Sequence, residues 1–363
     1  MRKHFIDNLR WIAVLLLIPY HAAMAWNFWE EPNYIFFGGN RIISSFIVFL
    51  SPYFMPLLFL LAGISTKYAL NKRSYKQYIS ERAKRLLVPL ISGTLILMPV
   101  MTFIADKYNY AYAGGFFEHY PVFFTKFTDL TGADGGFSFG QFWFLLFLFV
   151  ISVVTVGAIL LLKKKTAGKS KGLPFPVIIL LCVPLPLFGE LVSIGGKSIL
   201  EYCYIFLAGY YLFSDDSITD KAAKYLYITL PVGLSACIAN VYMFIWSGSD
   251  MGLLNMAAKY TAEWFMLLAI IGIGKKHLDK TGRISAYMSG RSFPFFSFHF
   301  IWTVLFQYLL AGLLSENTLL LYMLPVFLAY ISTFICCEIC VRVPFLCFLT
   351  GTKYTAPKTY MRR

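Results

Sequence analysis

Ten apolar runs, separated by short polar or basic connections, divide this chain. They cover residues 9–26, 42–68, 86–105, 141–162, 173–191, 199–213, 225–246, 260–274, 293–314 and 319–341. A bilayer core about 30 Å thick takes about 20 helical residues at roughly 1.5 Å each. Inside lipid a backbone must satisfy its own N–H and C=O groups, so only helices or closed barrels cross it. Barrel strands read as alternating segments of about ten residues. The runs here are continuous and mostly longer. The expected fold is therefore all-α and polytopic, with about ten transmembrane helices, and residues 1–363 read as a single transmembrane domain without an appended soluble one. Composition agrees: 58% of residues are apolar and 14% charged, against about 45–50% and about 25% in soluble domains. A water-soluble globule and a disordered chain are both excluded.

Lys and Arg number 32 against 18 Asp and Glu, a net charge of +14. A nucleic-acid reading fails on position, because the basic residues sit between apolar runs and not in a patch on one folded surface. With ten spans, the N-terminus and every connection after an even-numbered run share one side. That side carries Arg2, Lys3, Lys67, Lys72, Arg73, Lys76, Arg82, Lys84 and Arg85. It also carries Lys163, Lys164, Lys165, Lys169, Lys171, Lys221, Lys224, Lys275, Lys276, Lys280, Arg283, Lys353, Lys358, Arg362 and Arg363. The opposite side carries Arg41, Lys107, Lys126, Lys197 and Lys259. The positive-inside rule puts the first side, and both termini, in the cytoplasm of a multi-pass membrane protein. No cleavage site follows the first run, which leads into Trp26-Asn27-Phe28-Trp29, so it reads as an uncleaved helix. The seven cysteines, Cys182, Cys203, Cys237, Cys336, Cys337, Cys340 and Cys347, lie mostly inside apolar runs. They read as small packed side chains, with neither a disulfide framework nor a metal site. Residues 106–140, on the non-cytoplasmic side, are rich in Tyr and Phe. They read as an interfacial aromatic belt or as a surface on which sugar rings stack.

Ionisable side chains inside apolar runs are expensive and so draw attention. Arg10 and His21 lie eleven residues apart, which on a straight helix leaves about 20° between them and about 16 Å along the axis. Arg10 then sits at the cytoplasmic boundary and His21 deep in the membrane. Arg10 also reads as a snorkelling boundary residue, and His21 as an interhelical hydrogen-bonding group. Arg82 and Arg85, three apart, share one helix face at the start of the third run. Two guanidinium forks there suit a polyanion such as a phosphate group, or lipid head groups. Gln141 and Trp143 open the fourth run, where Trp143 also reads as an interfacial anchor. His299 lies within the ninth.

In this order the residues resemble the membrane acyltransferase-3 family. Arg10 and His21 match its Arg-x10-His motif. Arg82-x-x-Arg85 before Leu86-Leu87-Val88-Pro89 matches its second motif, and Gln141-Phe142-Trp143-Phe144-Leu145 its third. The stretch from Ser292 to His299 is similar to its late segment, though Phe295-Phe296-Ser297-Phe298 stands where the family often has Tyr and Leu. The opening most resembles the branch with glucan succinyltransferase-like proteins. The resemblance covers essentially the whole chain. It implies O-acyl transfer from cytoplasmic acyl-coenzyme A to a hydroxyl of an extracytoplasmic acceptor, a cell-envelope glycan, in a bacterial cytoplasmic membrane. It further implies Arg82 and Arg85, with Arg10, on the donor phosphates, and Trp143 along the acyl or pantetheine channel. His21 becomes the general base or transient acyl carrier, and Gln141 and His299 are additional candidates. The alternatives are a transporter of a polar or anionic solute and a membrane scaffold. A transporter draws on Glu201, Glu263 and Glu338, all read near span ends.

Overall fold

The computed structural model describes residues 3–31, 33–162, 172–194, 196–249 and 251–355. Arg2, Lys163, Lys164, Lys165, Lys169, Lys171, Lys358, Arg362 and Arg363 of the loop-charge pattern lie outside the described residues. Eight helical stretches are long and apolar enough to cross a membrane: His4–Trp26, Arg41–Leu70, Tyr75–Asn109, Gly140–Ile159, Leu226–Trp246, Gly252–His277, Arg283–Leu314 and Thr318–Cys340. The fold is an all-α polytopic bundle. The expected fifth and sixth spans are shorter apolar helices, Phe175–Leu191 and Ile199–Phe213. Pro184 and Pro186 interrupt the first of them between Phe175–Leu180 and Leu185–Leu191, since a proline supplies no helical N–H. A two-residue antiparallel hairpin, Ser193–Ile194 with Lys197–Ser198, then turns the chain into the second.

We label the helices used below in chain order. They are α1 (His4–Leu15), α2 (Leu17–Ala23), α3 (Arg41–Leu70), α4 (Tyr75–Arg82), α5 (Val88–Ile96), α6 (Met98–Asn109), α7 (Phe116–Thr125) and α8 (Trp143–Leu162). There follow α9 (Phe175–Leu180), α10 (Leu185–Leu191), α11 (Ile199–Ala208), α12 (Asp216–Lys224), α13 (Leu226–Val241), α14 (Gly252–His277), α15 (Arg283–Leu314) and α16 (Thr318–Cys340). The axis of the bundle is α3: 83% of its apolar window is buried, against 22% for α16 at the periphery. It meets the end of α11 and the turn that follows almost backbone to backbone. A methyl group on Gly63 would strike the Phe206 carbonyl, and one on Gly209 the Leu60 carbonyl. Small residues permit this approach where lipid offers no hydrophobic drive for association.

Prolines inside spans strand the carbonyl four residues earlier, and an apolar interior holds no water to satisfy it. Three of these carbonyls find a donor on another helix. Pro19 frees Leu15 O, which accepts from Tyr330 Oη of α16 at 2.8 Å. Pro52 frees Val48 O, which accepts from Asn240 Nδ2 of α13 at 3.3 Å. Pro99 frees Leu95 O, which accepts from Tyr120 Oη of α7 at 3.1 Å. The prolines thus become interhelical ties. The first has a local consequence: the chain breaks at Leu16, so the expected first span is two helices in sequence, α1 and α2.

The 106–140 segment folds over one end of the bundle. Asn109 Nδ2 donates to Tyr34 O and Ala133 O at 3.2 and 2.9 Å, and Tyr34 and Ser138 share a 3.1 Å hydroxyl contact. Phe117 is 87% exposed while Phe123 is fully buried, so one part of the aromatic set faces out and another packs. At the opposite end, Lys3 and Lys275 both pair with Asp216 of α12, at 2.9 and 3.1 Å.

Candidate active site

The polar residues singled out from the sequence fall into two groups at different levels of the bundle. At the level of Lys3 and α12, α1 brings Arg10 against α3: Arg10 Nη2 donates to Ser65 Oγ at 2.9 Å and Nη1 to Asp7 Oδ1 at 3.1 Å. Ser74 begins α4 with a capping box, its Oγ accepting from Gln77 N and Gln77 Oε1 accepting from Ser74 N, the arrangement that satisfies first-turn donors. From that start Tyr78 and Arg82, four apart, both face α3. Arg82 Nε donates to Tyr78 Oη and Nη2 to Thr66 Oγ1, each at 2.9 Å. Thr66 Oγ1 spends its own proton on Ala62 O at 2.8 Å, so Tyr78 Oη donates to Thr66 across their 2.8 Å contact. The hydroxyl protons of Thr66 and Tyr78 are thus both placed, and two N–H groups hold the guanidinium of Arg82.

Arg85 takes a different course from the expected shared face. It lies in a π-helical turn, Ala83–Leu87, and is exposed. The wider i→i+5 turn, a feature frequent at functional sites, moves it off the direction of Arg82. Both remain within charge reach of Arg10. Among the described residues neither Arg82 nor Arg85 is ion-paired, and only Asp7 pairs with Arg10. The nearby carboxylates are Asp7, paired with Arg10, and Glu81, paired with Arg73 and within charge reach of Arg85; guanidinium groups still outnumber them, an excess that favours a bound polyanion.

The second group surrounds His21 on α2. Its ring stacks on Phe300 at 4.0 Å, lies 5.2 Å from the His299 ring and meets Tyr20 edge-on at 5.6 Å. His21 is half-buried and His299 fully buried. His299 Nδ1 is 2.7 Å from Phe296 O. Gln141 Nε2 donates to Ser297 O at 3.1 Å, so Gln141 and His299 hang on consecutive carbonyls of α15. Trp143 opens α8 beside Tyr202 and Phe59, at 5.6 and 6.5 Å between rings. Lys197, from the hairpin, lies over the Trp143 ring at 5.3 Å and within charge reach of His21.

The structure thus gathers Arg10, Arg82 and Arg85 in one place and His21, His299, Gln141 and Trp143 in another. The eleven-residue relation between Arg10 and His21 passes through the irregular turn at Leu16. Sequence reasoning missed Lys197, which counts there only as one positive residue on a sparsely charged side. It also missed Ser65, Thr66 and Tyr78; the i, i+4 spacing of Tyr78 and Arg82 was the available signal. Glu263 needs correction. It lies well inside α14, fully buried, with both carboxylate oxygens unpartnered, and not near a span end. Among the described residues no group of three or more His, Cys, Asp or Glu side chains stands ready for a metal ion.

Residues 3–342 match a family model described as an acyltransferase domain. The chain belongs to the acyltransferase-3 family. Comparison with curated proteins and with solved structures gives no match. The acyltransferase-3 match spans both polar groups, from Arg10 to His299, and establishes this bundle as a membrane acyltransferase in general terms. Acyl transfer in general brings an acyl donor and an acceptor to a group that can activate the nucleophile. Here the half-buried imidazole of His21 is the candidate.

Proposed function

We propose that this protein moves an acyl group from cytoplasmic acyl-coenzyme A to a hydroxyl of an extracytoplasmic acceptor, a cell-envelope glycan. The observation that carries the reading is the excess of guanidinium charge at Arg10, Arg82 and Arg85 on one level, with His21 eleven residues further along the α1–α2 stack. The arginines hold the phosphates of the donor, and the pantetheine arm runs along α1 and α2 towards His21, past Trp143. His21 takes the proton from the acceptor hydroxyl, whose oxygen attacks the thioester carbonyl. Negative charge grows on that carbonyl oxygen, and the ammonium of Lys197 is near enough to favour it. The C–S bond then breaks, and the leaving thiolate takes the proton from the imidazolium. The products are the acyl ester and free coenzyme A.

Purified protein given acetyl- or succinyl-coenzyme A together with envelope polysaccharide should release coenzyme A and raise the polysaccharide mass by one acyl group per event. Folded protein that neither binds nor turns over either donor would overturn the reading.

A further inference from the structure

We propose that His299 and Gln141 form the acceptor-binding end of the site and that they select a ligand carrying at least two neighbouring hydroxyl groups, a sugar or other polyol; this rests on the acyltransferase reading above. A main-chain carbonyl can only accept. His299 Nδ1, 2.7 Å from Phe296 O, therefore carries the proton, and in the neutral ring Nε2 holds a lone pair. The Gln141 amide is fixed by the same reasoning: Nε2 faces Ser297 O at 3.1 Å, leaving Oε1 as the other end. His299 Nε2 and Gln141 Oε1 are both buried and have no hydrogen-bond partner in the structure. His299 is fully buried and Gln141 4% exposed.

Buried polar atoms without partners are rare and costly, and a ligand that completes them recovers that cost. Both atoms here are acceptors, so the completing ligand must donate. A phosphate or carboxylate presents lone pairs and is refused; a hydroxyl presents a proton and is accepted. The His299 ring is 5.2 Å from that of His21. A hydroxyl at His21 thus has a neighbour on the same sugar ring within reach of His299, and Gln141 is held on the adjacent carbonyl of α15.

The test compares two small acceptors, methyl glucoside and cyclohexylmethanol, which share a primary hydroxyl on a six-membered ring and differ in the neighbouring hydroxyls. Acetyl-coenzyme A is the donor, and kcat and KM for the acceptor are measured separately. Wild-type protein should favour methyl glucoside at least tenfold in kcat/KM. His299→Leu and Gln141→Leu should each raise its KM about 10- to 100-fold and shrink the preference. His299→Gln, whose amide reaches the position of Nε2, should recover part of it. Binding of a non-hydrolysable acetyl-coenzyme A analogue, followed by calorimetry, identifies variants that are folded with an intact donor site. A preference that survives in folded variants, a wild-type preference for cyclohexylmethanol, or coenzyme A release with neither acceptor acylated overturns this inference alone. No turnover and no donor binding by wild-type protein removes the acyltransferase reading, and this inference with it.

Discussion

In the proposed reaction His21 is the imidazole that takes the acceptor's proton, so its loss isolates the chemistry from the scaffold. His21→Ala should lower acyl transfer by a factor of about 10² to 10⁴, the usual value of a positioned base, while expression and thermal unfolding stay near wild type. The arginines divide differently. Arg82 is bonded to Thr66 and Tyr78, so Arg82→Ala should cost stability as well as donor affinity. Arg85 is exposed and unpaired among the described residues. Arg85→Ala should leave unfolding unchanged and raise the KM for acyl-coenzyme A about tenfold or more, one charge-assisted contact being worth about 1.5–3 kcal/mol. An unchanged donor KM in Arg85→Ala would remove it from the phosphate site. Arg10, His21, Arg82 and Arg85 were legible because ionisable groups stand out against apolar runs. Their partners were not. Ser65 and Thr66 are hydroxyl residues that any span tolerates, distant in sequence from Arg10 and Arg82, and only the i, i+4 spacing of Tyr78 and Arg82 is local.

The long spans were legible for the same reason that they form: continuous apolar length has one good solution in lipid. Residues 173–213 were read as two further spans because apolar length alone does not separate a crossing helix from a short one, and the interruption depends on where Pro184 and Pro186 fall. Proline geometry also makes an element-scale test. Tyr330→Phe leaves the Leu15 carbonyl without its donor and should cost about 1–3 kcal/mol of stability. Pro19→Ala returns an N–H to that carbonyl, so Tyr330→Phe in a Pro19→Ala background should cost measurably less. Additive losses in this double-mutant cycle would show that the two sites do not share the carbonyl. In α7, His119 is fully buried with Nε2 3.2 Å from Asp106 Oδ2. Burial holds its pKa below the ordinary imidazole range, and Asp106 only partly opposes this. The neutral ring is thus favoured in the folded segment, while an unfolded histidine binds its proton near pH 6.5. Stability from the neutral ring is complete above about pH 6.5 and is lost as the pH falls below it towards the folded value. Hydrogen exchange across 116–125 should therefore accelerate on going from pH 7.5 to 5 beyond the change in intrinsic rate. In His119→Gln that excess should vanish.

At the scale of the whole molecule the direction of transfer depends on which end of the bundle faces the cytoplasm. Among the described residues, the end with Lys3, Arg82, Lys221 and Lys275 is the basic one, and the 106–140 segment covers the other. Eight crossings, or ten, both return the chain to the side where it began, so the short helices between residues 173 and 213 do not alter the parity. The positive-inside rule then predicts a cytoplasmic Arg10–Arg82–Arg85 group and an outward 106–140 segment. A donor made in the cytoplasm and an acceptor outside it require the two polar groups to lie at different depths, which suits the eleven residues between Arg10 and His21, about 16 Å on a straight helix. Single cysteines in a background without the seven native ones decide this. Asp129 and Lys72 are both exposed and lie at opposite ends. A membrane-impermeant maleimide added to intact cells should label Asp129→Cys and not Lys72→Cys, and opening the cells should make Lys72→Cys reactive. The reverse pattern would put the arginines outside, where they do not meet cytoplasmic acyl-coenzyme A, and the proposed direction of transfer would fall.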